Sequence, residues 1–153
     1  MLDPIIKTIE VSCNQRTAFE VFVDFKSWWP LDKRSMSAKD GETAISISVD
    51  TTLGGEIYEQ SESGKRHLWG TITSYDPFAM FAMNFHMGLP PCDSKVEIIF
   101  KELAQNKTQV TLTQSNWEAF GEMAEMMRGG YGSSWGLLFE EAYLERCRAE
   151  GSK

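Results

Sequence analysis

The chain has 153 residues, 42% hydrophobic and 24% charged, which excludes disordered and collagen-like classes and suffices for a single domain, residues 1–153, with its own core. Fifteen Lys and Arg against 22 Asp and Glu leave a net charge of −7, so no basic stripe can neutralise phosphates and nucleic acid is excluded as a partner. The start Met1-Leu2-Asp3-Pro4 is unlike a signal peptide and no apolar run is long enough to span a bilayer. The scattered Cys13, Cys92 and Cys147 fit reduced thiols, so the expected setting is cytoplasmic without membrane insertion.

Ile5, Lys7, Ile9 and Val11 alternate with Ile6, Thr8 and Glu10, which predicts a first strand. Asn14 is placed to cap a helix carrying Ala18, Val21, Phe22 and Phe25 at helical spacing, and Pro30 prevents its regular continuation. Residues 31–42 are polar and read as loop or short turns. The period then becomes two. Residues 43–50, 55–60, 67–75, 79–87, 95–103 and 108–116 read as strands separated by Gly-, Pro- and Asn-containing turns, an antiparallel meander. Alternation places Phe81, Met83, Phe85 and Met87 on one face and His86 on the other, toward the surface. Residues 117–128 read as a short amphipathic helix ended by Gly129-Gly130. A longer helix follows from about Ser133, with Ser133 or Ser134 as its cap and Trp135, Leu138, Phe139 and Ala142 on its apolar face.

The order strand, helix, six strands, helix resembles the helix-grip, Bet v 1-like fold of birch-pollen-allergen-like and START-like (SRPBCC) proteins, an α+β class. In it a curved antiparallel sheet wraps a long C-terminal helix. The closer resemblance is to the branch related to the C-terminal domain of the activator of Hsp90 ATPase (AHSA1-like). It rests on Ile9-Glu10-Val11 leading into Ala18-Phe19-Glu20-Val21-Phe22, then Trp28-Trp29-Pro30 and Gly54-Gly55-Glu56-Ile57-Tyr58-Glu59. Trp69-Gly70-Thr71-Ile72 with Tyr75-Asp76-Pro77, residues 108–114, and Gly132-Ser133-Ser134-Trp135 complete the set. Members often carry His in the last strand where this chain has Gln114, and Gly where it has Asn116, so a role resting on that imidazole does not carry over. The fold implied is a container that holds lipids, sterols, polyketides or aromatic metabolites, and only some members are enzymes.

Nine Phe, five Trp and eight Met suit either a plain core or the walls of such a container. The reading is an internal cavity between sheet and C-terminal helix that binds a small hydrophobic or aromatic ligand. Phe25, Trp29, Glu59, Trp69, Phe81, Met83, Phe85, Trp117, Met123 and Trp135 are its candidate lining. The Met123/Met127 segment is read as a cover or a fixed seal. Glu59 shares a face with Ile57; if that face is inward it orients a polar ligand or acts as a base, and otherwise it is a structural carboxylate bonded to a neighbouring strand or a solvated edge residue. No catalytic residue, cofactor or metal is expected. The two histidines and scattered cysteines lack ligand spacing, and the Gly-x-Ser-x-Gly pattern of hydrolases is absent. The alternatives are an Hsp90-type chaperone-associated domain that binds a protein surface, with Trp28-Trp29 the first residues to test for it, and a cyclase- or hydratase-like enzyme using Glu59 and a Tyr. Homodimerisation stays open.

Overall fold

The computed structural model describes residues Met1–Lys153. Strand β1 (Ile5–Val11) leads into helix α1 (Gln15–Val23), whose first turn is capped where Asn14 Oδ1 accepts the Thr17 amide at 2.8 Å. A short 3₁₀ turn, Phe25–Ser27, and a second, Ser37–Asp40, bracket the polar connection. Six strands follow: β2 (Ala44–Val49), β3 (Glu56–Ser61), β4 (Arg66–Asp76), β5 (Met80–Phe85), β6 (Lys95–Ala104) and β7 (Lys107–Ser115). They form one seven-stranded sheet in the order β1-β7-β6-β5-β4-β3-β2, with every neighbouring pair antiparallel. Residues 43–116 are therefore a meander, and β1 closes onto its last strand. This is the curved sheet of the helix-grip class, with the terminal helix laid against it.

The C-terminal region departs from the expected pattern. A 3₁₀ segment, Trp117–Met123, is kinked at Gly121, and helix α2 (Ala124–Trp135) runs on without a break into widened π-type turns, Gly136–Tyr143, and helix α3 (Leu144–Gly151). Gly129-Gly130 does not end a helix, and Ser133 and Ser134 are not caps. Ser133 Oγ instead donates back to the Gly129 carbonyl at 3.2 Å, within the same helix. The two glycines cost helix stability of about 1 kcal/mol each. Burial of Tyr131, Trp135, Leu138, Phe139 and Tyr143 on the following turns outweighs that.

A second departure lies at the end of β5. The strand stops at Phe85 because Met87 takes a left-handed conformation (φ 47°) and Gly88 another (φ 81°). The amides of His86 and Met87 both donate to the Trp69 carbonyl, at 2.8 and 3.0 Å. The curl breaks the alternation, so His86 turns inward and is buried, not at the surface. A side chain at Gly88 would also meet that of Met36, so both sterics and φ favour glycine there.

The core is a cluster of 29 buried apolar residues between sheet, α1 and the terminal helix. Phe22 alone meets Phe25, Trp28, Phe81, Phe100, Phe139 and Tyr143, with ring centroids 4.9–6.2 Å apart. Trp28 and Trp29 belong to this core and are not a surface patch. Trp135 stacks on Phe85 at 6.1 Å, and its indole N–H donates to Gln114 Oε1 at 2.8 Å. Gln114 thus holds the Trp135 indole in place from the last strand. Asn116 adopts the left-handed conformation (φ 62°) that glycine takes readily, and its amide donates to the Asp93 carbonyl. The fold also brings together two cysteines that the sequence leaves far apart. A hydrogen bond from the buried Cys147 thiol holds Cys13 below its ordinary range, and the same bond raises Cys147.

Candidate functional site

Glu59 sits on β3 with no exposed surface, and its carboxylate accepts four hydrogen bonds. The Met36 amide donates at 2.9 Å, the Ser37 amide at 2.6 Å and the Trp69 indole at 3.2 Å, with the Ser37 hydroxyl close by as the fourth donor. The Glu59 oxygens are occupied by the protein itself, which is the geometry of a structural clamp, not of a base facing a substrate. What it clamps is the Met36–Ser37 backbone of the polar connection.

That clamp builds one wall of a cleft of about 360 Å³. Met36 and Lys39 form the clamped wall, and His86, Met87 and Leu89 at the end of β5 form the second. The third is the helix, through Met123, Met126, Met127, Gly130, Tyr131 and Ser134. Those six positions follow i, i+3, i+4, i+7, i+8 and i+11, so they are one helical face. Five of the chain's eight methionines meet here. Thioether side chains with three rotatable bonds make an adaptable apolar surface. Gly130 leaves the middle of the helical wall open, with no atom within 4 Å of where a Cβ would stand. A smaller concavity of about 210 Å³, lined by Leu89, Pro90, Pro91, Cys92, Ala119, Phe120 and Met123, continues along the same loop and shares Leu89 and Met123 with the first.

The polar groups at the main cleft are few. Burial holds the His86 imidazole below the ordinary histidine range, and its Nδ1 has no hydrogen-bond partner. Burial likewise pushes the Tyr131 phenol up, so it is uncharged. Ser134 Oγ accepts from the Arg34 guanidinium at 3.2 Å. Tyr131 also joins the cleft to the core, with ring centroids 5.8 Å from Phe85, 6.0 Å from Trp117 and 6.4 Å from Trp135.

Of the ten residues expected to line an internal cavity, Met123 alone lies on this cleft, and it is 40% exposed. Phe25, Trp29, Glu59, Trp69, Phe81, Met83, Phe85, Trp117 and Trp135 are all buried, each at most 4% exposed. Side chains with so little accessible surface have almost no contact with a water-sized void, and the sequence reading missed the residues that form the open cleft. One signal was available. Continuing the helical period of Met123 and Met127 through Gly130 to Tyr131 and Ser134 places them all on one face. Nothing in the sequence pattern pointed to Met36 or His86. Nowhere do three or more His, Cys, Asp or Glu side chains stand close enough to hold a metal ion, and no helix is long and apolar enough to cross a membrane.

Residues 15–142 match the family described as Activator of Hsp90 ATPase homolog 1-like protein. No match is found among the curated proteins. Among solved structures, the chain is similar to CalC from Micromonospora echinospora, described as a self-sacrificing resistance protein, at 21% identity and a TM-score of 0.70, covering 98% of this chain and 97% of that one. It is similar to the anthrahydroquino-γ-pyrone synthase Txn09 complexed with SUM, at 21% identity and a TM-score of 0.63, covering 97% and 96%. It is also similar to the Aha1 dimer from Colwellia psychrerythraea, at 16% identity and a TM-score of 0.63, covering 91% and 92%. At these identities the likeness is one of fold.

Proposed function

The chain belongs to the Activator of Hsp90 ATPase homolog 1-like family, and from that premise we propose that it binds a small hydrophobic or aromatic molecule, as a single cytoplasmic domain, in the methionine-lined cleft. The observation that carries the reading is the convergence of five methionines and Tyr131 around the open position of Gly130. A concavity of about 360 Å³ falls within the size range of small-molecule sites, roughly 300–1,000 Å³. The packed aromatics Phe85, Trp117 and Trp135 act through Tyr131 as the rigid floor against which the flexible thioethers adjust. Support from fold likeness comes from the synthase solved as a complex with SUM.

Protein labelled at the methionine methyl carbons tests this directly. Fatty acids, sterols, flavonoids and polyketide-like aromatics are titrated in turn. A true ligand shifts the methyls of Met36, Met87, Met123, Met126 and Met127 and leaves the more distant Met80 unmoved. It also stabilises the fold by about 2.7 kcal/mol at a hundredfold excess over its dissociation constant. Gly130→Leu, which places a side chain in open space within the cleft, abolishes both effects, whereas Gly129→Leu leaves them. Silence of the five methyls toward every class would end the reading.

The second reading, a chaperone-associated protein-binding domain, draws on the family's description and on the exposed Met126, 64% accessible at the cleft's edge. Under it the same methyls respond to the chaperone and to no small molecule.

A further inference from the structure

One group at the cleft is left incomplete by the protein. His86 is 1% exposed, belongs to the cleft wall, and its Nδ1 has no hydrogen-bond partner. A buried polar nitrogen without a partner is destabilising, so its presence calls for a physical reason. Among the other residues of the cleft lining, Met36, Met87 and Met127 offer thioether sulfurs, which are weak acceptors and no donors; the Leu89 backbone opposes the effect of burial on the imidazole but does not reach hydrogen-bonding geometry with Nδ1. Ser134 Oγ accepts from Arg34 and keeps its own O–H to donate, but it does not reach Nδ1, which has no partner. The curl at Met87 and Gly88 turns the imidazole inward, where an alternating strand would have turned it to solvent.

Burial keeps this imidazole neutral at pH 7, so one ring nitrogen donates and the other accepts. A carboxylate would be best met by an imidazolium. A hydroxyl both donates and accepts, and so pairs with Nδ1 in either tautomer.

We infer that His86 Nδ1 is the polar anchor of the cleft, and that the molecules it selects are apolar bodies bearing an uncharged hydroxyl, phenols or alcohols, in preference to carboxylic acids. The inference rests on the ligand-binding reading above and names the class of ligand for that site. The ligand reaches Nδ1 by displacing methionine side chains, which the thioethers' rotational freedom allows.

The test compares 2-naphthol, naphthalene and 2-naphthoate at pH 7.5 on the methionine-labelled protein. 2-Naphthol binds roughly 3- to 10-fold more tightly than naphthalene, the gain of one net hydrogen bond, and more tightly than 2-naphthoate. That preference disappears in His86→Phe and survives in His86→Gln, which keeps a donor and an acceptor at that place. In the wild type, the ¹⁵N resonance of Nδ1 moves with 2-naphthol and not with naphthalene, a measurement that decides the matter even where the Phe variant fails to fold. Equal affinities for naphthol and naphthalene, or a preference that persists in His86→Phe, overturn the anchor while leaving the cleft as a binding site. Tightest binding of 2-naphthoate also overturns it, and points to Lys39. Failure of all three probes to bind removes the cleft reading and the anchor together.

Discussion

At the scale of single residues, two buried polar side chains divide the work at the cleft. Glu59 has all its needs met by the protein, with four donors on one carboxylate. Replacing it by Gln turns one acceptor oxygen into a donor facing donors. The expected loss is about 1–3 kcal/mol of stability, measured by urea unfolding. Weaker binding at the cleft should accompany it, because Met36 and Lys39 lose their clamp; full stability in Glu59→Gln would show that the clamp is not needed. His86 is the reverse case, with a nitrogen left over. Its folded-state pKa lies below the ordinary value of 6.5, so the unfolded chain binds more protons just beneath that pH. Stability is therefore full above about pH 7 and falls as the pH drops from 6.5 toward the folded value. The depressed carboxylates Asp40, Glu42 and Glu118 act only below their ordinary values of 3.8 and 4.5. Unfolding at pH 7.5 and 5.5 should show a decrease in the wild type that is absent in His86→Gln.

Among the elements, the terminal helix shows how packing overrules local preference. Gly129-Gly130 is a strong stop signal, and local sequence rules end the helix there. The helix continues because the next turns bury Tyr131 and Trp135 against Phe85, and a helix obtains most of its stability from such a face. A helical glycine in open space has no steric reason to stay glycine. Gly130→Ala and Gly129→Ala should each raise stability, by about 0.5–1 kcal/mol. The two should part company in function, since Ala at 130 intrudes on the cleft and Ala at 129 does not. If Gly130→Ala destabilises the fold, the helix at that turn is not in the conformation described. The same logic explains the methionine face. Its residues satisfy the helical period, and Tyr131 among them is buried in the core with Met127 packed against it, so the pattern reads as ordinary amphipathicity.

In the whole molecule, sheet and helix are held by an aromatic core that leaves the candidate interior residues nearly without accessible surface. Trp135 is central to it, stacked on Phe85 and bonded to Gln114. Trp135→Ala should cost roughly 3–5 kcal/mol, as large core truncations do. A loss under about 1 kcal/mol in denaturant unfolding would remove it from the core. The amino-acid pattern by itself determined the strands, because alternation over 43–116 is a local property of successive residues and survives any tertiary arrangement. It also led to Trp135 packing on the strand that carries Phe85, where the two rings stack, since two apolar faces without other partners must meet. It put Glu59 on one strand face with Ile57 and left open whether that face is inward. Only the tertiary structure decided what Glu59 does there, because its partners at Met36 and Ser37 lie 22 or more residues away in a polar connection without period. Only the tertiary structure turned His86 inward, through one left-handed residue that propensity disfavours, and carried the helix across two glycines. The open cleft arises where those non-local outcomes meet, which is why the sequence placed the binding site in the core and the fold places an open cleft at its edge.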